Sequence, residues 1–189
     1  MADYGLLAKQ IVSLAEVDTH WLPMLSNASA LLWDALDDIN WVGFYLVDPA
    51  TVVDLGSDLK LGSESSLELG SELGSEPGSP ELRLPELRLG PFQGKVACVR
   101  IPFGRGVCGT AAATKTSQLV EDVHQFSGHI ACDSASNSEV VVPIFEGDQV
   151  VGVLDIDSPS AARFTQEDLV GLEQVVKALE SCVDFSDFC

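Results

Sequence analysis

Cys98 in "KVACVRIP", Cys108 in "GRGVCGTA" and Cys132 in "HIACD" follow one another at the spacing C-x9-C-x23-C. Thiols so close in sequence can pack a core, hold a metal, close a disulfide or react. The spacing lacks the short ligand gap and fourth ligand typical of zinc sites, although His129, just ahead of Cys132, leaves a mixed Cys-His site open. Buried inert cysteine is the ordinary reading of any one of them. It weakens for the three together, because two stand beside glycine-rich turns. Cys108 is expected near a helix N-terminus, where the dipole favours thiolate. Cys182 and Cys189 have no evident partner in the sequence.

The carboxylates form a second set. Asp155 and Asp157 in "LDIDS" stand two apart on an expected strand, so their side chains point to one face. Glu139 stands at the mouth of another strand. A solvated face is the ordinary reading, but Val153, Leu154 and Ile156 flank the pair, and alternation alone does not say whether that face is covered. Under a cover, repulsion and desolvation would raise at least one pKa and make a proton donor. The same pair would hold a substrate ammonium group. Trp41 and Tyr45, on one face of "WVGFYLV" with Gly43 leaving room between them, are either core or the wall of a small apolar pocket.

These groups need elements to hold them. Apolar spacing predicts helices over Tyr4–Glu16, with Asp3 as its cap, and over about Pro23–Leu36. Strands are expected over Trp41–Val47 and Lys95–Ile101, a short helix over Val107–Lys115, and a short strand in "SQLVEDV". "EVVVPIF" and "VVGVLDIDS" read as two strands joined by a tight turn at Gly147-Asp148. Thr165 caps a final helix whose first turn carries Glu167 and Asp168. The order predicts one α+β domain over residues 1–189, with a mainly antiparallel central sheet and the N- and C-terminal helices packed on one side.

Between the first two strands, Leu-Gly-Ser-Glu tetrads and two copies of Pro-Glu-Leu-Arg-Leu make a low-complexity stretch. Its units are too short for a solenoid. Its Gly, Ser, Glu and Pro content predicts a disordered insert at about residues 53–84.

The chain has 189 residues, 46% of them hydrophobic, and a formal net charge of −19. That charge argues against general binding to nucleic acid or to anionic membranes and favours cationic or ammonium-bearing ligands. No basic start precedes an apolar run at the N-terminus, so a cytoplasmic location is expected, where stable structural disulfides are uncommon. An odd number of cysteines, five, also fits poorly with a fully paired secreted framework.

Taken together, "NWVGFYLVDP", "LGPFQGKVACVRIPFGRGVCGTAAATKTSQLVEDVHQFSGHIACDSASNSEVVVPIF" and "VVGVLDIDSPSAARFTQEDLVGLEQVV" resemble the free methionine-(R)-sulfoxide reductases, enzymes of the GAF fold. The likeness spans nearly the whole chain outside the insert. It implies a single GAF-like domain and reduction of free methionine (R)-sulfoxide. It assigns the nucleophile to Cys132, the resolving thiol to Cys98 and a further exchanging thiol to Cys108. It puts substrate-holding carboxylates at Glu139, Asp155 and Asp157 and an aromatic wall at Trp41 and Tyr45. Thioredoxin as reductant, a homodimer and a cytosolic location are implied as well, with no cofactor and no metal. The insert is a departure, since relatives join these strands by a short turn.

Sulfoxide chemistry is consistent with such a set. A thiolate attacks the sulfur as its oxygen takes up a proton, the resulting sulfenic acid condenses with a nearby thiol, and an external dithiol restores the pair. An acidic pocket favours the free amino acid, whose α-ammonium a peptide-bound residue lacks. Backbone N–H groups between Ser134 and Ser138 are expected to hold the substrate carboxylate. The alternative from another class is a non-catalytic GAF sensor binding a small ligand in the same cavity.

Overall fold

Asp3 caps the first helix, α1 (Tyr4–Ala15), by accepting from the Leu6 N–H at 2.9 Å. Tyr4, Leu7 and Ile11 form its buried stripe. The second helix, α2 (Trp21–Ala35), starts earlier than its apolar spacing predicts, because His20 Nδ1 accepts from the Leu22 N–H at 3.1 Å. Pro23 then lies in the first turn, where a missing N–H leaves no helical bond unmade. The computed structural model describes residues 2–51, 85–126, 128 and 135–186. The insert expected at 53–84, His129, Cys132 and Cys189 lie outside the described residues.

The described residues build a six-stranded sheet from β1 (Trp41–Val47), β2 (Glu86–Gly94), β3 (Arg100–Pro102), β4 (Gln118–Val120), β5 (Ser138–Glu146) and β6 (Gln149–Ser158). The spatial order is β3-β2-β1-β6-β5-β4, and every neighbouring pair is antiparallel. Gly147, at φ +59°, makes the two-residue turn between β5 and β6 that the sequence predicts. Two differences concern the other end of the sheet. β2 has no counterpart in the sequence reading, because its first half is the second Pro-Glu-Leu-Arg-Leu copy and looks like part of the repeat. The strand expected over Lys95–Ile101 is also shorter, beginning only at Arg100. Gly94, at φ +130°, ends β2, and Lys95–Val99 form a loop. The Trp41 indole N–H donates to the Lys95 carbonyl at 3.1 Å and the Leu89 N–H to the Val99 carbonyl at 3.0 Å, which ties that loop down.

The sheet separates two layers. Val42, Phe44, Leu46, Val140, Val142, Leu154 and Ile156 pack against α1, α2 and the last helix, α4 (Gln166–Cys182). Thr165 and Asp168 cap α4 with a reciprocal box, and the Tyr4 hydroxyl donates to Asp168 at 2.6 Å, locking α1 onto α4. The terminal helices thus share one side, as expected. The short helix α3 (Gly106–Thr114) lies on the other, where Val107, Cys108, Ala111 and Ala112 meet Trp41, Tyr45, Val141 and Val153. Small residues let it sit close: a Cβ on Gly109 would strike the Pro102 carbonyl.

Candidate functional site

Strand register assembles the site. β6 pairs Asp157 with Trp41 on one side and with Glu139 on the other, and pairs Asp155 with Gly43 and Val141. Residues directly opposed in antiparallel strands share a face. Trp41, Asp157 and Glu139 therefore form one row across three strands, and Gly43, Asp155 and Val141 form the next. Both rows lie on the face that α3 covers. The predicted carboxylates are brought together and two of them are sealed: Glu139 and Asp155 are each 6% exposed, whereas Asp157 is half-buried.

α3 adds a thiol from above. Cys108 Sγ donates to Glu139 Oε1 at 3.8 Å, and one donor atom each from Cys108, Glu139 and Asp155 lie within 4.8 Å of one another. The Oδ1 atom of Asp155 is buried without a hydrogen-bond partner. Burial pushes Glu139 well above the usual carboxylate range, and the negative charges of Asp155 and Asp157 push it further. Burial raises Asp155 to about 6, tempered by polar contact with Cys108 and Glu139. Cys108 departs from expectation. Burial, then the charges of Asp155 and Glu139, raise its pKa well above that of a free thiol, so the group is a thiol and not a dipole-stabilised thiolate. A helix end offers only about half a positive charge, which two adjacent carboxylates outweigh.

The aromatic wall has three members. Trp41 stacks on Tyr45 with ring centroids 5.7 Å apart and on Phe92 at 5.3 Å. Phe92 stands opposite Gly43 in the β1–β2 register, and a Cβ on Gly43 would collide with it. The space the sequence leaves at Gly43 is therefore filled by this ring, which the sequence reading missed. A glycine between two aromatic residues on one strand face marks such a close approach. Tyr45 is neutral, its phenol pushed up by burial and by Asp155.

Cys98 belongs to a loop rather than a strand. It is disulfide-bonded, half-buried, and packs against the cluster that holds Trp41, Tyr45 and Cys108. Cys108 and Cys182 carry free thiols. Among the backbone amides expected to face a substrate carboxylate, the Asn137 N–H already donates to the Ser158 carbonyl at 2.8 Å, and Ser134 lies outside the described residues.

A curled antiparallel sheet with terminal helices on one face and buried acidic side chains beneath a short helix on the other is the arrangement of a GAF domain. The GAF domain family model matches residues 24–183. The free methionine-R-sulfoxide reductase of Escherichia coli is 45% identical over 185 residues, 98% of this chain and 91% of that protein. Among solved structures, fRMsr of Staphylococcus aureus in its reduced form is 46% identical, with a TM-score of 0.75 and 97% of each chain covered. Free methionine-R-sulfoxide reductase from Neisseria meningitidis, solved with its substrate, is 38% identical with a TM-score of 0.75, covering 98% of this chain and 90% of that one. The chain belongs to the free methionine-R-sulfoxide reductase family of GAF-domain proteins.

Proposed function

We propose that this protein reduces free methionine (R)-sulfoxide to methionine by cysteine chemistry. The observation that carries the reading is the three-strand register, which aligns Trp41, Asp157 and Glu139 in one row and sets Asp155 beside them. The side chains so gathered are acidic, flanked by aromatic rings and covered by α3, a set that suits a small zwitterion with an apolar methyl-sulfur end.

In this reading Asp155, ionised above about pH 6, holds the α-ammonium group with Asp157. The stacked Trp41 and Tyr45 offer the S-methyl end an apolar wall. Glu139, which keeps its proton to higher pH than an ordinary carboxyl group, delivers it to the sulfoxide oxygen. The Cys132 thiolate attacks the sulfoxide sulfur as its oxygen takes up that proton. The substrate S–O bond then breaks as the hydroxyl passes to the Cys132 sulfur and the transient sulfur–sulfur bond opens, so that methionine leaves and Cys132 is left as a sulfenic acid. Cys98 then attacks that sulfur, releasing water and forming a disulfide. An external dithiol of the thioredoxin type reduces the bond through a mixed disulfide. The disulfide at Cys98 beside a free Cys108 favours Cys98 as the resolving thiol. The protein works in the cytoplasm as a homodimer. Among the described residues no helix is long and apolar enough to cross a membrane.

The deciding measurement is NADPH consumption with thioredoxin and thioredoxin reductase. Free methionine (R)-sulfoxide drives consumption, whereas the S epimer and a peptide-bound sulfoxide do not. No consumption with the free R epimer would identify a binding domain and end the proposal.

A further inference from the structure

Cys108 is left without a chemical task once Cys98 resolves the sulfenic acid, yet it is buried against Glu139 and Asp155. We propose that Cys108, Glu139 and Asp155 together form a site for one soft divalent cation of the zinc class. The three donors come from different elements, α3, β5 and β6, so no ligand spacing betrays them in the sequence. One ligand atom from each lies within 4.8 Å of the others, and Cys108 Sγ is 3.8 Å from Glu139 Oε1. A tetrahedral zinc ion, with bonds of about 2.3 Å to sulfur and about 2.1 Å to oxygen, separates such donors by about 3.5 Å. Small side-chain rotations supply the remaining contraction.

An independent observation points to a cation. Asp155 is 6% exposed, and its Oδ1 is buried with no hydrogen-bond partner. Leaving a buried carboxylate oxygen unsatisfied is unfavourable, and a positive ligand removes that penalty. A cation also offsets the mutual repulsion of acidic groups taken out of water. The thiol sets the choice of metal: sulfur ligation favours zinc or cadmium over magnesium or calcium, which prefer oxygen. On binding, Cys108 releases its proton to solvent and ligates as thiolate, as does any proton held by Glu139, and nothing is oxidised or reduced. Three protein ligands leave a fourth position for solvent. The ion occupies the space proposed for the substrate ammonium group and so excludes the substrate. That consequence rests on the reductase reading; the metal site itself does not.

The test uses the full chain purified without reductant, with the Cys98 disulfide intact, titrated with cadmium chloride. Thiolate-to-cadmium charge transfer in the ultraviolet should saturate at one ion per chain. Cys108→Ser should abolish the band and Cys182→Ser should keep it. Glu139→Gln and Asp155→Asn should each weaken binding about tenfold or more, by analogy with the loss of supporting groups at metal sites. Near-ultraviolet circular dichroism checks folding, and the two carboxylate variants decide the matter if Cys108→Ser does not fold. Absence of a stoichiometric band in the unmodified chain, a band that survives in folded Cys108→Ser, or an undiminished cadmium affinity in the folded carboxylate variants overturns the proposal. Reductase activity is read separately. A chain that reduces the sulfoxide but takes no cadmium through Cys108 loses this inference alone; one that binds cadmium there and reduces nothing loses the proposed function alone.

Discussion

Glu139 and Asp155 share one hollow but stand differently toward their protons. Glu139 feels both neighbouring carboxylates and stays protonated, while Asp155 ionises at about pH 6. Division of labour follows if one donates the proton and the other holds charge. Glu139→Gln is expected to lower kcat by about 10²- to 10⁴-fold, the usual range for loss of a general acid, with KM little changed. Asp155→Asn is expected to act mainly on KM. Steady-state kinetics with the free R epimer separates the two, and an unchanged kcat in Glu139→Gln removes the acid role. In the proposed reaction the thiols divide in time rather than in charge. Cys98→Ser should release about one methionine per chain in a single-turnover experiment and then fail to recycle with thioredoxin, whereas Cys132→Ser should release none. Quantifying methionine against protein distinguishes them, and an undiminished thioredoxin-linked rate in Cys98→Ser would move the resolving role to another thiol.

At the scale of elements, the wall of the hollow depends on two strands meeting at a glycine. Gly43→Ala places a methyl group against Phe92 and the Trp41 ring, so β1 and β2 must part or the stack must tilt. Overpacking of this kind costs about 1–3 kcal/mol, and the displaced Trp41 should raise KM as well. Urea midpoints and KM measured on the same preparation check both effects; unchanged values would mean that the stack does not shape the pocket. The same two strands mark how far the sequence could be read. Helix caps at Asp3 and Thr165 and the hairpin at Gly147 were legible because their signals are local. The carboxylate pair was legible as a face, since alternation in "LDIDS" is also local. β2 was not, because Leu87 and Leu89 belong to the second Pro-Glu-Leu-Arg-Leu copy and, with Phe92 just beyond it, owe their strand conformation to pairing with β1. The electrostatics of Cys108 were not either, because they depend on α3 folding across the sheet onto Asp155 and Glu139. The nucleophile was carried by resemblance, and Cys132 lies outside the described residues.

For the molecule as a whole, the insert and the buried charge pose opposite questions. The insert's ends are already joined: the Asp48 N–H donates to the Glu86 carbonyl at 2.8 Å, and the Glu86 N–H donates to Thr51 Oγ1 at 2.9 Å. They meet at the Val47 end of β1, two residues beyond Tyr45 and about 20 Å along the strand from Trp41 at about 3.3 Å per residue. Replacing residues 52–84 by a short Gly-Ser turn should therefore leave kcat, KM and melting temperature unchanged, and a loss of turnover in a folded variant would give the insert a role. The hollow, by contrast, weighs on the stability of the entire fold. Asp155 titrates near 3.8 when unfolded and near 6 when folded, so between those values the native chain binds more protons than the unfolded one. Its contribution is complete below about pH 4 and is lost as pH rises through 6, an effect of about 3 kcal/mol at about 1.36 kcal/mol per pKa unit. Glu139, raised by the same burial, pulls in the same direction. Asp155→Asn should thus unfold at higher urea than the unmodified protein at pH 7.5, with the difference closing toward pH 4, while its activity falls. Such an exchange of stability for function is common where charge is buried for chemistry. A variant less stable than the parent at pH 7.5 would mean that a favourable partner offsets the desolvation of Asp155, and the hollow would then not be the acidic, cation-seeking site its chemistry requires.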